Sequence, residues 1–338
     1  MVIFMKKWIV KRTCFVLFFL TVLLCGILSG CRKNGTHQEE MVHSQKKIVS
    51  TVFPPYEWVR EITGNKAEEY DMTLLLDSGV DFHSYQPTTE DIAKISVCDL
   101  FIYVGGESDE WVEEVLKGAK NKDMHVLNLL DALGGQAKEE EVIEGMEEES
   151  KEHEHEEEGP RMDEHIWLSL KNAQTLTRAI KQELQNMDSE NAQVYEENYQ
   201  NYERKLQELD EKYKEVVNSG KRRVVLFGDR FPFRYLVDDY ELDYYAAFPG
   251  CSAETEASFE TIAFLSGKLE ELELPSVFVI ERWDTKVAQT VIDNTRSKDQ
   301  KILYIDSLQS VTSKDLEEGY TYLSAMEKNL EVLKQALN

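Results

Sequence analysis

Cysteine is scarce in this chain, with five residues in 338. Cys14 and Cys25 lie in an apolar N-terminal stretch and Cys31 follows it, so only Cys98 and Cys251 remain for the rest of the chain. Two cysteines allow at most one disulfide bond and are too few to build a thiolate metal site. Cys98 precedes an apolar run, and we predict that it is a buried free thiol.

Basic residues are also in short supply, because 38 Lys and Arg stand against 64 Asp and Glu, for a formal net charge of −26. Binding along a phosphate backbone requires a basic face, so nucleic acid is excluded as a partner. Hydrophobic residues make up 42% of the chain, which excludes disorder throughout. The excess of acid is consistent with a soluble surface or with the attraction of cations.

The N-terminal apolar run, 14–28, is too short to span a membrane comfortably, and four basic residues precede it. This pattern predicts a signal peptide over 1–30. The run ends in Leu28-Ser29-Gly30-Cys31, which resembles a bacterial lipobox and implies cleavage before Cys31 and lipidation of that residue. We therefore expect a lipid anchor on the outer face of the cell membrane, with an ordinary signal peptide, or an anchor segment with a chance cysteine, as the alternative.

Past a polar tether over 31–46, short apolar runs alternate with helical patterns. Strands separated by helix-length segments predict the α/β class with parallel sheets. We predict two similar lobes, 47–170 and 221–338, each a parallel sheet flanked by helices. The strand candidates are 48–53, 69–75, 100–104, 125–129, 223–227, 242–247, 277–280 and 302–305.

Linking helices over 171–220 are predicted to join the lobes. From Tyr195 to Val216, apolar and aromatic residues recur every three or four positions, which places them on one face of a single long helix. Gly220 ends the pattern. About thirty residues at about 1.5 Å each give a rigid rod of about 45 Å. The predicted N-caps are Asn172 for the first linking helix and Asp188 or Ser189 for the long one.

The stretch 139–158 carries charge of almost one sign, with twelve Glu, one Lys and the histidines His153 and His155. Such a run repels itself and predicts a mobile loop. Its two histidines are candidate ligands of a secondary metal-binding loop. The alternative is a solvated run of charge without a specific role.

Two histidines and the carboxylates of two second-lobe strands are candidate metal ligands. His83 lies between a predicted strand and a predicted helix, and His165 follows the acidic stretch. In parallel sheets, ligands bind at the carboxyl ends of the strands; a surface or capping role is the alternative for either histidine. Asp229 and Glu281 end second-lobe strands, with Asp284 as a competitor of Glu281. Two histidines and two carboxylates suit Zn²⁺, Mn²⁺ or Fe²⁺ held between the lobes.

Four stretches carry motifs in a recognisable order: 51–56 (TVFPPY), 83–88 (HSYQPT), 99–106 with 110–112 (DLFIYVGG and EWV), and 165–169 with 171–173 (HIWLS and KNA). They resemble the metal-binding solute-binding lipoproteins of ABC importers, the ZnuA-like or cluster A-I group. The resemblance covers nearly the whole mature chain. It implies two α/β lobes, one rigid connecting helix, and a divalent ion bound between the lobes.

By position in these motifs, His83 and His165 match the two first-lobe histidine ligands of the family. Asp229 stands where zinc members usually have a third His and manganese members a Glu. Glu281 lies near the family's variable fourth position. Zinc members also carry an acidic, His-rich insertion before the second histidine, and 139–158 is a His-poor version of it. The resemblance implies Zn²⁺ as the bound ion, with Mn²⁺ as the alternative.

The function that follows is capture of a divalent ion outside the cell and delivery to an ABC transporter permease with its ATPase, by a protein expected to be a monomer. Replacing His83 or His165 is expected to abolish tight binding, whereas removing 139–158 is not. The alternatives are a manganese or iron carrier of the same kind, a metallohydrolase and a surface adhesin. The sequence has no His-Glu-x-x-His helix, Gly-x-Ser-x-Gly elbow or Cys–His pair, so we predict that it is not an enzyme.

Overall fold

Two four-stranded parallel sheets lie at the centres of two lobes in the computed structural model, which describes residues 45–147, 161–252, 256–280 and 284–338. The strand order is β2-β1-β3-β4 in the first sheet and β6-β5-β7-β8 in the second, so both have the same topology. The fold prediction is confirmed. The strands are β1 (Lys46–Ser50), β2 (Tyr70–Leu74), β3 (Leu100–Tyr103), β4 (His125–Asn128), β5 (Val224–Phe231), β6 (Asp243–Pro249), β7 (Ser276–Val279) and β8 (Lys301–Tyr304).

Helices cover the faces of both sheets, as parallel strands buried on both sides require. One of the two inner strands of the second sheet, β7, is buried at every position. The α-helices are α1 (Phe53–Thr63), α2 (Thr89–Ile95), α3 (Trp111–Lys117), α4 (Leu129–Leu133), α5 (Leu170–Met187), α6 (Ala192–Ser219), α7 (Arg234–Tyr240), α8 (Phe259–Glu271), α9 (Lys286–Asp293), α10 (Ser313–Glu317) and α11 (Tyr322–Leu337).

The long helix α6 carries the predicted aromatic stripe on its buried face, where Tyr195, Tyr202 and Tyr213 are almost fully covered. Its 28 residues give a length of about 42 Å. It packs against α1 of the first lobe and against α11 of the second. One element therefore buttresses both lobes, which belong to a single compact unit over Gln45–Asn338.

The predicted caps of the two linking helices were wrong. Ser169 caps α5, because its hydroxyl accepts the N–H of Asn172, which lies in the first turn. The long helix is preceded by a 3-10 turn over Ser189–Asn191, with Asn191 at the N-cap position. The carboxylate of Asp188 accepts hydrogen bonds from two tyrosine hydroxyls instead of capping the helix.

Part of the acidic stretch is built into the fold. The prediction of a mobile loop was wrong for 139–147, because these residues make defined contacts. Glu140 pairs through its backbone with Arg161, and the Glu147 N–H donates to the Ala247 carbonyl at 2.9 Å. Gly145 lies so close to the Phe264 ring that a Cβ there would clash with it.

Contacts between backbone and side chains join the two lobes beside α5. The Trp167 indole N–H donates to the Ser307 carbonyl at 2.9 Å, and the Tyr322 hydroxyl donates to the Trp167 carbonyl at 2.7 Å.

Within the part of the chain that the structure describes, no helix is both long and apolar enough to cross a membrane. The predicted signal peptide and Cys31 lie outside the described residues.

Candidate metal centre

Two histidine side chains meet where the lobes adjoin. His83 lies in the 3-10 turn Phe82–Ser84, downstream of β2, and His165 immediately precedes the 3-10 turn Ile166–Leu168. Their Nε2 atoms are 3.0 Å apart, and their ring centroids are 4.9 Å apart. Residues 82 positions apart in the sequence thus direct their ring nitrogens to one point.

A buried hydrogen-bond chain fixes the ring of His83. Its Nδ1 lies 2.9 Å from Ser108 Oγ, and that hydroxyl donates to Glu164 Oε2 at 2.5 Å. Because the hydroxyl proton goes to the carboxylate, the His83 Nδ1–H donates to Ser108 and its Nε2 keeps a free lone pair. Although burial opposes ionisation, hydrogen bonds from His83 and Ser108 hold the pKa of Glu164 below its ordinary value.

His165 is held in the same way by its near neighbour Asp163. The imidazole is fully buried, and its Nδ1 lies 3.0 Å from Asp163 Oδ1, which also accepts the His165 backbone N–H at 2.8 Å. Donation from Nδ1 leaves the Nε2 lone pair free. A carboxylate or a hydrogen-bond chain behind the distal nitrogen is what orients metal-binding histidines in proteins.

The spacing of the two nitrogens fits a tetrahedral ion. Two imidazole nitrogens on one Zn²⁺, each at about 2.0–2.1 Å, are separated by about 3.3 Å. The observed 3.0 Å between the Nε2 atoms of His83 and His165 is close to that separation. A shared cation also compensates for placing two lone pairs against each other. The pair can therefore coordinate an ion with little movement.

Cys251 of the second lobe completes this cluster. One ligand atom of each of His83, His165 and Cys251 lies within 4.8 Å of the other two, the one such group among the residues that the structure describes. The prediction that two cysteines are too few for a thiolate metal site was wrong, since a single thiol beside two histidines needs no cysteine partner. Burial, together with the charges of Glu140 and neighbouring carboxylates, raises the pKa of the Cys251 thiol.

The chain brings Cys251 to the histidines because Gly250 has no side chain. A Cβ at position 250 would lie 3.0 Å from the His165 ring and 2.8 Å from the Phe231 carbonyl oxygen. The Cys251 N–H donates to Glu140 Oε1 at 2.9 Å, which fixes the residue from the acidic stretch. No local pattern in the sequence indicates this approach, because it depends on how the two lobes adjoin.

The second lobe also presents Gln309, a buried residue, to the cluster. Its Nε2 lies 3.3 Å from His83 Nε2. A cavity of about 160 Å³ opens beside the site, and its acidic lining is suited to a cation. The lining residues are His83, Glu107, Ser108, Glu140, Arg161, Met162, Glu164 and Cys251.

Asp229 lies inside β5, at an irregularity in the pairing between Phe227 and Arg230, rather than in the loop after the strand. Its Oδ1 accepts the Arg230 N–H at 2.8 Å and its Oδ2 accepts the Ile280 N–H at 2.9 Å. Burial raises the pKa of Asp229 above its ordinary value, although these two hydrogen bonds act to lower it. It is not among the clustered ligand atoms, and its role as a metal ligand stays a prediction.

The neighbour of Asp229 connects the lobes. The Arg230 guanidinium pairs with Asp81 Oδ2 at 2.7 Å, and Asp81 Oδ1 accepts the His83 backbone N–H at 3.0 Å. Burial works against ionisation of Asp81, but the Arg230 contact holds its pKa below the ordinary value. An ion pair from the second lobe therefore supports the turn that carries His83.

Three predicted site residues, Glu281, His153 and His155, lie outside the described residues. Asp284, the competitor of Glu281, is exposed, and its Oδ1 accepts the N–H of Lys286 at 3.2 Å. Sequence reasoning missed Asp163, Glu164 and Ser108. Asp163 and Glu164 precede His165 directly in the sequence, and this proximity is the one sequence feature that could have indicated their role.

Two α/β lobes with a carboxylate-oriented histidine pair where they adjoin define a metal-binding protein of the solute-binding class. The family model described as "ZnuA: Zinc-uptake complex component A periplasmic" matches residues 48–336. The chain belongs to this family, so the resemblance seen in the sequence is confirmed.

The names of two curated relatives describe zinc binding or zinc uptake. The chain is 30% identical over 320 residues to the zinc-binding lipoprotein AdcA of Streptococcus pneumoniae, covering 94% of this chain and 60% of the relative. It is 29% identical over 342 residues to the high-affinity zinc uptake system protein ZnuA of Bacillus subtilis, with 98% of both covered. The chain thus spans about 60% of the AdcA relative and nearly all of the ZnuA relative.

Solved structures share the fold. The Zn(II)-bound ZnuA-like domain of Streptococcus pneumoniae AdcA superposes with a TM-score of 0.66 at 25% identity, covering 87% of this chain and 99% of that domain. The metal-dependent lipoprotein YcdH of Bacillus subtilis superposes with a TM-score of 0.69 at 26% identity, covering 86% of this chain and 99% of that chain.

Proposed function

We propose that this protein is the extracytoplasmic binding component of a metal importer, which captures Zn²⁺ between its lobes and delivers it to an ABC transporter permease with its ATPase. The observation that carries the proposal is the pair of Nε2 atoms 3.0 Å apart, each on a ring held from behind through a buried carboxylate. The names of the relatives, which describe binding and uptake, support a carrier and not an enzyme.

The proposed layout of the mature protein follows the predicted boundaries. Lipidated Cys31 anchors the monomer to the outer face of the membrane, and residues up to 46 tether the first lobe, 47–170. The linking helices over 171–220 and the second lobe, 221–338, follow. Asp229 and Glu281 are the carboxylates proposed to contribute to the shell of the ion.

Zinc is proposed over manganese because nitrogen donors are in place and the zinc-binding relatives include a structure with Zn(II) bound. Imidazole suits Zn²⁺, whereas a site of carboxylate and water oxygens suits Mn²⁺. Affinity alone favours zinc by the Irving–Williams order, so the physiological ion is tested by growth of a deletion strain with zinc or manganese withheld. Added zinc is expected to restore growth of the deletion strain. Restoration of growth by added manganese alone would contradict the assignment of zinc.

Replacing either ligand is expected to abolish tight zinc binding. His83→Ala or His165→Ala leaves one nitrogen donor of the pair, and calorimetric titration should show zinc affinity reduced more than about 100-fold. That loss exceeds the one expected when only a residue that hydrogen-bonds to a metal ligand is removed. His125→Ala is the matched control, because that imidazole pairs with Glu183 at 2.8 Å on α5. Equal affinity in all three variants and the wild type would refute the site.

A further inference from the structure

We propose that Cys251 is a third protein ligand, whose sulfur binds the same ion as His83 and His165 and makes the site selective for thiophilic cations. This inference rests on the proposed function, since it requires the histidine pair to bind metal. It adds a second-lobe ligand that was not among the predicted ones. On binding, the Sγ–H bond breaks, the sulfur donates its electron pair to the ion, and the proton leaves to solvent.

The distances permit this with small movements. On a tetrahedral Zn²⁺, with Zn–N about 2.0–2.1 Å and Zn–S about 2.3 Å, sulfur and nitrogen ligands are separated by about 3.6 Å. The three ligand atoms already lie within 4.8 Å of one another. A shift on the order of 1 Å brings them into one coordination sphere. The cluster therefore supplies three of the four donors that a tetrahedral site needs, which leaves one position for a carboxylate, Glu281 or Asp229.

The backbone fixes the position of Cys251. Its N–H donates to Glu140 Oε1, and the preceding Gly250 packs directly against His165, where a Cβ would be too close. A side chain at position 250 would push this strand end away from the histidine. The arrangement thus sets the approach of the sulfur through backbone contacts and not through a flexible side chain alone.

The charges around the cluster favour a cation. Glu140 contacts Cys251, Asp163 contacts His165, and Glu164 reaches His83 both directly, at 3.3 Å, and through Ser108. Asp163 and Glu164 are each 2% exposed. Buried carboxylates beside a thiolate repel it unless positive charge is present, and a divalent ion supplies that charge.

The other cysteine of the folded region provides the contrast. Cys98 is fully buried in the first lobe, where its Sγ donates to the Ile95 carbonyl at 3.2 Å and lies 3.3 Å from the Met124 sulfur. It is free, as Cys251 is, so neither thiol is consumed in a disulfide. Cys98→Ala is therefore the matched control for removing one thiol without touching the cluster.

A thiolate ligand changes which ions the site holds. Soft sulfur donors select Zn²⁺ and Co²⁺ over Mn²⁺, which prefers carboxylate and water oxygens. We therefore expect Cys251→Ala to weaken zinc binding more than about 100-fold, beyond the cost of losing a group behind a ligand. Manganese affinity is expected to fall much less, so the preference for zinc over manganese narrows.

Cobalt spectroscopy tests the sulfur directly. The mature chain, without signal peptide, is stripped of metal and titrated with Co²⁺ under reducing conditions, and the near-ultraviolet sulfur-to-cobalt charge-transfer band is recorded. The band is expected in wild type and in Cys98→Ala, and is expected to be absent in Cys251→Ala and Cys251→Ser. Circular dichroism of the metal-free variants establishes that each is folded.

The outcomes separate this inference from the proposed function. If wild type binds Co²⁺ through the histidines but shows no charge-transfer band, the thiolate assignment is overturned while the carrier function stands. A band that survives in Cys251→Ser overturns it too. If His83→Ala and His165→Ala bind zinc as tightly as wild type does, the proposed site itself fails. Because the wild-type spectrum needs no variant, misfolding of Cys251→Ala leaves the test intact.

Discussion

At the scale of single residues, the geometry of the centre depends on groups that touch no ion. Glu164 is 2% exposed and receives hydrogen bonds from the backbone and the hydroxyl of Ser108, which in turn holds His83. Asp163 does the same for His165. These groups set which ring nitrogen is free, so they determine the ligand atoms before any ion arrives.

Removing the charge of Glu164 is therefore expected to weaken zinc binding without abolishing it. Glu164→Gln keeps the side-chain volume but loses the carboxylate that accepts from Ser108, and calorimetric titration should show affinity lower by about 10–100-fold. Glu107→Gln is the control, because Glu107 lines the same cavity and pairs with Arg161 at the surface. Unchanged affinity in Glu164→Gln would show that the charge of Glu164 is not needed to orient the ring of His83.

At the scale of elements, α6 contributes stability through tyrosines that reach both lobes. Tyr213 is fully buried, its hydroxyl donates to the Met326 carbonyl of α11 at 2.6 Å, and its ring stacks on Tyr240 of α7 with centroids 5.2 Å apart. The period of the stripe was predictable from sequence. The partners of Tyr213 were not, because they come from α7 and α11, later in the chain.

We expect Tyr213→Ala to destabilise the protein by about 3–5 kcal/mol, because it leaves a cavity where an aromatic ring packs. Tyr213→Phe should cost only about 1 kcal/mol, since it removes one hydrogen bond and keeps the ring. Urea unfolding of the metal-free proteins measures both. Equal losses in the two variants would mean that the hydroxyl, and not the ring packing, holds α6 in place.

At the scale of the whole molecule, the acidic stretch divides into two parts with different consequences. Residues 139–147 contact the second lobe, where Glu140 accepts the Cys251 N–H and the Glu147 N–H donates to Ala247. The remainder of the stretch, 148–158, holds both of its histidines and lies outside the described residues. That removing 139–158 does not abolish tight binding stays a prediction, and the contacts of 139–147 predict that this first part contributes to affinity.

Replacing 148–158 with a Gly-Ser linker of equal length is expected to leave zinc affinity at 0.15 M salt unchanged within about threefold, because salt at this concentration screens charges over about 8 Å. Extending the replacement to 139–158 should weaken binding, since the Glu140 contact to Cys251 is lost. Titration of both variants, with wild type as reference, measures this. Strong loss in the shorter replacement would place essential ligands in 148–158.

The pattern of apolar runs and helical periods was sufficient for two parallel sheets and one long helix, because these depend on local periodicity and burial. Helix starts were predicted less well. The helix begins three residues earlier than predicted, because the Ser169 hydroxyl accepts the Asn172 N–H and places Asn172 in the first turn. Likewise β5 continues through Asp229 to Phe231, because its pairing with β6 resumes after an irregularity.

The sequence by itself determined the fold class, the family and the two histidines, because these depend on periodicity and on motifs that are contiguous in the chain. Only the tertiary structure decided what surrounds them. Cys251 and Gln309 reach the histidine pair from the second lobe, and Ser108 links Glu164 to His83. Such contacts join residues far apart in sequence, and those of Cys251 and Gln309 also depend on how the two lobes adjoin, which no local pattern encodes.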